Sequence, residues 1–124
     1  MKESSMKQDN IILDKSFAFA TRVVKLYKYL CDEKREFVLS KQLLRCGTSI
    51  GANIIEAQAG QSKADFISKM SIASKEARET KYWVDLLTKT DYLDINEPHV
   101  KSLVADTEEI IKLLTSIIKS SQGK

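Results

Sequence analysis

The sequence is poor in the residues that make turns, since its 124 residues include only four Gly and one Pro. An all-β domain needs a turn about every 8–12 residues, and Gly, Pro and Asn dominate such turns. This scarcity excludes an all-β domain and favours a few long helices. The length corresponds to a single domain, and such a chain can bury a core without disulfides or metals.

Cysteine and long apolar runs are also scarce. Cys31 and Cys46 lie inside helical patterns and do not form a CxxC pair. We expect them to be small buried side chains in a reducing compartment, with a disulfide between them as the alternative. No stretch approaches the roughly 18 apolar residues of a membrane span, and the polar N-terminus lacks a signal region. We therefore expect a cytoplasmic protein with no membrane partner.

The sequence also lacks a large excess of either charge, because its 20 Lys and Arg and 17 Asp and Glu leave a net charge of only +3. A dedicated duplex-DNA binder is usually more basic. The distribution is uneven: residues 91–124 are acidic in balance, and the rest of the chain is basic. A folded bundle could therefore have one basic side, although a mixed solvated surface is the alternative.

Apolar residues recur at spacings of three and four over most of the chain. This periodicity predicts four helices at about residues 14–34, 37–59, 63–90 and 97–119. Ser62 and Asp65 have the spacing of a capping box at the start of the third helix. Short connections place neighbouring helices antiparallel, so we expect an all-α, up-down-up-down four-helix bundle over residues 14–120. We expect residues 1–13 to be a flexible arm and residues 121–124 a frayed tail.

The inner stripe of the first helix is predicted from 3- and 4-residue spacing. It contains Phe17, Ala20, Val24, Tyr27 and Cys31, and an adjacent row widens it: Phe19, Val23, Leu26 and Leu30. The second helix is unusual, because only Arg45 and Glu56 are charged between residues 43 and 59. A surface helix of a monomeric bundle should have a charged outer face. This lack of charge favours assembly of the chain into a homo-oligomer.

Two stripes of the second helix are candidate sites. A polar seam contains Gln42, Arg45, Ser49, Asn53 and Glu56, and we expect it to fix helix register and assembly, with a binding or catalytic pocket as the alternative. Glu56 needs a cation if it is buried, and Lys69 is one candidate. The second stripe consists of three small residues and one isoleucine, namely Gly47, Gly51, Ala59 and Ile55. We interpret it as a subunit interface, with close packing inside the monomer as the alternative.

Basic residues cluster around the first predicted connection. They are a candidate surface for phosphate contacts, which would be salt-dependent and independent of base sequence. Tyr27, Tyr29, Tyr82 and Trp83 could stack on bases, although aromatic residues at helical spacing usually belong to the core. Solubility is the alternative role of the basic residues, which are Arg22, Lys25, Lys28, Lys34, Arg35 and Lys41.

The second and third predicted helices carry a family motif. It consists of Gln42, Arg45, Ser49-Ile50, Asn53-Ile54 and Glu56, followed by Ser62, Asp65-Phe66, Ala73 and Glu79. This pattern resembles the signature of the bacterial four-helix-bundle proteins called 23S rRNA intervening-sequence proteins. The resemblance extends from about Phe17 to about Ile118. The sequence departs from the family where Ala57 replaces the glycine that follows the glutamate.

The resemblance also implies binding partners, which the residues alone do not indicate. The family is similar to the accessory proteins of diversity-generating retroelements, which are basic bundles that form rings of five and work with a reverse transcriptase and its RNA. The resemblance therefore implies a homo-oligomeric ring, in particular a pentamer, and an association with RNA, DNA or a partner protein such as a reverse transcriptase.

We find no catalytic motif in the sequence. His99 is the one histidine, and it lacks the Glu-x-x-His spacing of a di-iron bundle. Phosphate-binding loops and zinc patterns are absent as well. We therefore expect no enzyme, no cofactor and no metal. The predicted function is that of a self-assembling scaffold that binds nucleic acid or a nucleoprotein through a basic outer surface, with a protein-binding adaptor as the alternative.

Overall fold

The structure, a computed structural model, describes the backbone of residues 2–123 and the side chains of residues 10–123. Over this range the secondary structure consists of four α-helices without strands. The all-α prediction is therefore confirmed. The helices are α1 (Lys2–Asp32), α2 (Leu39–Gln58), α3 (Lys63–Lys89) and α4 (Pro98–Ser121).

The N-terminal boundary of α1 differs from the prediction. The structure places residues 2–13 in α1 and not in a flexible arm, while Met1 lies outside the described residues. The helix continues upstream of Asp14 because Ile12 is fully buried in the core and Leu13 packs against it. At the other end, α4 reaches Ser121, and Gln122 caps it with its backbone N–H.

The four helices surround one core. α1 contacts α2 and α4, and α3 contacts the same two helices. All four contribute fully buried side chains, among which Phe19, Leu43, Met70 and Leu114 are large. The stripe of α1 that faces this core contains Phe19, Val23 and Leu30. The core therefore uses one row of the predicted stripe, whereas Phe17 in the other row is 74% exposed.

None of the helices in the described range is long and apolar enough to cross a membrane. The two cysteines are free thiols, with Cys46 buried and Cys31 half-buried. Burial raises the pKa of the Cys46 thiol. Cys31 and Cys46 are thus not joined by a disulfide, which agrees with the expectation.

Side chains cap the first turns of two helices. The predicted cap of α3 is confirmed, because the Asp65 backbone N–H donates to Ser62 Oγ at 3.1 Å. The start of α2 has a cap that the sequence analysis missed. Both carboxylate oxygens of Glu36 accept backbone N–H groups there, from Val38 at 3.1 Å, Leu39 at 2.9 Å and Ser40 at 2.6 Å.

Glu36 is 7% exposed, which is unusual for an acidic side chain. Burial by itself raises the pKa of this carboxyl, but the three backbone donors and the Ser40 hydroxyl outweigh burial and hold the pKa below its usual value. The negative charge also suits the positive end of the helix dipole. Glu36 therefore satisfies donors that would otherwise be buried without partners at the connection between α1 and α2.

We predict that Glu36→Gln lowers the free energy of unfolding at neutral pH by about 1–2 kcal/mol, because an amide is a weaker acceptor than a carboxylate for these three donors. The measurement is urea unfolding at a series of pH values. Since the folded-state pKa of Glu36 is lowered, its contribution is complete above the ordinary carboxyl pKa of about 4.3 and is lost as the pH falls through the folded value. The difference between wild type and variant should shrink over that range.

Glu33→Gln is the matched control, because Glu33 is exposed in the same connection. It should change the stability by less than about 0.5 kcal/mol. Equal stabilities of wild type and Glu36→Gln at neutral pH would contradict the capping role.

Candidate functional site

The six predicted basic residues do not form one equivalent set. Arg22 is committed to α4, where its Nη1 lies 2.6 Å from Asp106 Oδ2 and 3.1 Å from Ser102 Oγ. Its Nη2 donates to the carbonyl of His99 at 2.8 Å. Arg22 therefore joins α1 to α4 and is not available as a free phosphate ligand.

The other five basic residues are exposed near one end of the structure. Two of them lie in about the last two turns of α1, two in the connection and one in the first turn of α2. Within the side chains that the structure describes, none of the five lies within 4.0 Å of a carboxylate. They are Lys25, Lys28, Lys34, Arg35 and Lys41.

Two features shape this basic end. The Arg35 guanidinium lies 5.2 Å from the centre of the Phe37 ring, a cation–π arrangement that holds an exposed aromatic side chain at the connection. Arg35 has a positive φ of 54° that lets the chain turn between α1 and α2. Asp32 and Glu33 are exposed at the same end, so the surplus of positive charge per chain is small.

The polar seam of α2 lies along α3. Arg45 donates to Glu79 Oε2 through Nη2 and lies 3.4 Å from Glu76 Oε1. Trp83 Nε1 donates to the same Glu79 oxygen at 3.1 Å, and Tyr82 packs edge-on against the Trp83 ring. The indole N–H lowers the pKa of Glu79, burial opposes this, and Arg45 lowers the pKa further. This cluster joins the middle of α2 to α3.

The remaining seam residues make local contacts. Glu56 is exposed and pairs with Lys69 of α3 at 2.7 Å, one of the candidate partners. Asn53 Nδ2 and Ser49 Oγ donate to carbonyls one turn earlier in α2, at 2.9 Å and 2.7 Å. Gln42 is half-buried. The seam is thus a set of half-exposed pairs and backbone bonds, and the structure does not place it in a buried pocket.

The small-residue stripe divides into two parts. Gly47 and Gly51 are buried, and α1 covers both. A Cβ on Gly47 would lie 2.8 Å from Val23 Cγ1, and a Cβ on Gly51 would lie 3.4 Å from Ser16 Oγ. Gly47 therefore serves close packing within the chain, which was the alternative interpretation, because Val23 of α1 occupies the space that a side chain would need. Gly51 lies at an ordinary contact distance from Ser16 and lines the groove described below. Ile55 and Ala59 remain exposed.

The sequence analysis missed an apolar groove between α1 and α2. The groove has a volume of about 260 Å³, and Phe17 and Ile55 lie beside it with 74% and 59% of their surface exposed. None of its lining residues is charged. The signal was the charge-poor outer side of α2 combined with an apolar stripe on α1 that is wider than the part the core buries. The lining residues are Leu13, Ser16, Phe17, Ala20, Thr48, Gly51, Ala52 and Ile55.

The titratable groups do not converge on a reaction centre. His99 is exposed in the first turn of α4, where its Nδ1 lies 3.5 Å from Glu97 Oε2. Within the described part of the chain, no group of three or more His, Cys, Asp and Glu residues could hold a metal ion. The exposed basic end and the uncharged groove are the features of this geometry on which a function can be built.

The described part of the chain is an all-α protein with four helices around one core. Polar pairs join α1 to α4 and α2 to α3, and no charged residue lines the groove between α1 and α2. Residues 8–116 match the family described as 23S rRNA-intervening sequence protein. The chain belongs to this family, and the resemblance in the motif of α2 and α3 is thereby confirmed.

A solved structure supports the same assignment. The chain is similar to a protein of unknown function from the S23 ribosomal protein family of Bacteroides thetaiotaomicron, with 56% sequence identity and a TM-score of 0.86. The similarity covers 90% of this chain and 98% of the Bacteroides chain. No curated protein matches the sequence.

Proposed function

We propose that this protein is a non-enzymatic scaffold of the cytoplasm that assembles into a homo-oligomeric ring, a pentamer in particular, and binds RNA or DNA through its basic end. The observation that carries the proposal is the exposure of five cations around the connection between α1 and α2, without a carboxylate within 4.0 Å among the described side chains. The name of the family includes 23S rRNA, which favours RNA as the nucleic acid.

The scaffold is an antiparallel bundle in this proposal. The polar pairs support that topology, because Lys15 and Arg22 of α1 pair with Glu109 and Asp106 of α4 in reverse order. Between α2 and α3 the order is also reversed, since Arg45 pairs with Glu79 and Glu56 pairs with Lys69.

Self-assembly takes place through the uncharged groove between α1 and α2. Exposed apolar side chains such as Phe17 and Ile55 gain free energy when a second copy covers them. The absence of charge from the lining of the groove means that no ion has to lose its water there. The polar seam, by contrast, is used within the chain to hold α2 on α3.

Assembly gives the basic end its affinity. The positive surplus of one chain is small, because Asp32 and Glu33 lie near the five cations. A ring repeats this surface, and linked weak contacts to one nucleic acid strand bind more tightly than isolated ones. Such contacts to phosphates weaken steeply with salt and do not read sequence.

We predict that Phe17→Lys and Ile55→Lys each convert the assembly to a smaller species while the chain stays helical, because a buried ammonium in the groove has no partner. Sedimentation velocity measures the mass, and circular dichroism measures the helix content. Ile95→Lys is the matched control, since Ile95 is also exposed but lies in the connection between α3 and α4. An unchanged mass of both groove variants would refute the proposed interface.

We predict that the double variant Lys28→Glu, Lys41→Glu binds short single-stranded RNA about tenfold or more weakly than wild type, and that its affinity depends less steeply on salt, by a slope of about one for each lost phosphate contact. Fluorescence anisotropy over a range of salt concentrations makes the measurement. The control is Lys75→Glu, an equally exposed lysine on α3. If wild type shows no binding at physiological ionic strength, the protein-binding adaptor becomes the better account.

A further inference from the structure

A second concave site lies on the opposite side of α1, against α4. The cleft has a volume of about 290 Å³, which is near the lower end of the range of about 300–1,000 Å³ for small-molecule sites. A volume of this size is enough for one ring system. Its lining differs from that of the uncharged groove, because it combines apolar, aromatic and basic side chains: Arg22, Lys25, Leu26, Tyr29, His99, Val100 and Leu103.

The apolar part of the cleft is its floor. Val100 and Leu103 of α4 are 2% and 4% exposed, and Leu26 of α1 is half-buried beside them. Tyr29 borders the cleft with 41% of its surface exposed, although an aromatic residue on a helix usually belongs to the core. An apolar floor beside an accessible aromatic ring suits a flat ligand that can stack.

The walls of the cleft are held in place. Arg22 is bonded to Asp106, to Ser102 and to the His99 carbonyl, so it ties the first turn of α4 to α1. Asp106 neutralises this guanidinium, and Arg22 serves to fix the shape of the cleft. Preorganised walls lower the entropy that a ligand loses when it is bound.

The rim carries one free positive charge. Lys25 is exposed and lies within 4.0 Å of no carboxylate among the side chains of residues 10–123. It lies one turn of α1 before Tyr29, and Lys28 continues the basic surface toward the connection. A flat apolar group with a negative charge next to it is the chemistry that this arrangement complements.

We propose that the cleft between α1 and α4 binds one unstacked base of a single-stranded nucleic acid, with the base against Tyr29 and over Leu26, Val100 and Leu103, and with Lys25 on the adjacent phosphate. The inference rests on the proposed function and deepens it, because it names the single-stranded form as the ligand. A duplex keeps its bases stacked and paired, and so cannot fill the cleft without a cost in free energy.

The test compares a short single-stranded RNA with an abasic oligonucleotide of the same length and charge, by fluorescence anisotropy at one salt concentration. Wild type should bind the RNA about fivefold or more tightly than the abasic strand, because stacking of a base adds to the phosphate contacts. Tyr29→Ala should remove most of this preference, whereas Tyr29→Phe should keep it, since the ring remains. Tyr82→Ala is the control, because Tyr82 is exposed on α3, away from the cleft.

The outcomes separate the two proposals. Salt-dependent binding of both strands with equal affinity leaves the proposed function in place and overturns the base site, as does a preference for RNA that survives in Tyr29→Ala. A competition with polyglutamate adds a further check. If polyglutamate displaces labelled RNA as effectively as unlabelled RNA does, charge alone is recognised and the base site is overturned. Absence of binding to either strand overturns both proposals.

Discussion

The rest of the structure depends on the close approach of α1 and α2 at Gly47. Because this residue has no side chain, the methyl groups of Val23 occupy the space where a Cβ would lie, and α1 can pack directly on the α2 backbone. The same contact orients α1 so that Phe19, Val23 and Leu30 enter the core. A glycine in a helix costs about 1 kcal/mol relative to alanine, and the close packing offsets this loss.

The orientation of α1 determines where the two candidate binding features lie. With Val23 against Gly47, Phe17 is left exposed beside Ile55, and the uncharged groove results. Arg22 is turned the other way, where it pairs with Asp106, and it lines the cleft between α1 and α4. The proposed assembly surface and the proposed base site are thus two sides of one helix. A ligand in the cleft would leave the groove free for a second subunit.

The sequence was sufficient for the helices and for several polar contacts. Periodicity predicted all four helices, spacing predicted the Ser62 cap, and Lys69 was one of several candidate partners of Glu56. The apolar stripe of α1 was predicted as two adjacent rows, and the row with Phe19, Val23 and Leu30 enters the core. The spacing fits both rows, and only packing on α2 decides between them. The pairing of Arg22 with Asp106 was equally inaccessible, since a contact over 84 residues depends on the tertiary arrangement. The start of α1 at Lys2 was not predicted, because residues 1–10 are mostly polar and show no apolar periodicity.

The most direct test of this account is a double-mutant cycle between Gly47→Ala and Val23→Ala, measured by urea unfolding. In the wild-type background Gly47→Ala should destabilise the protein by about 1–3 kcal/mol, because the new methyl overlaps Val23. In the Val23→Ala background the penalty should vanish, with a coupling of at least about 1 kcal/mol. Gly51→Ala, which meets only an ordinary contact with Ser16, should be neutral or stabilising. Additive effects of the Gly47 and Val23 substitutions would contradict the account.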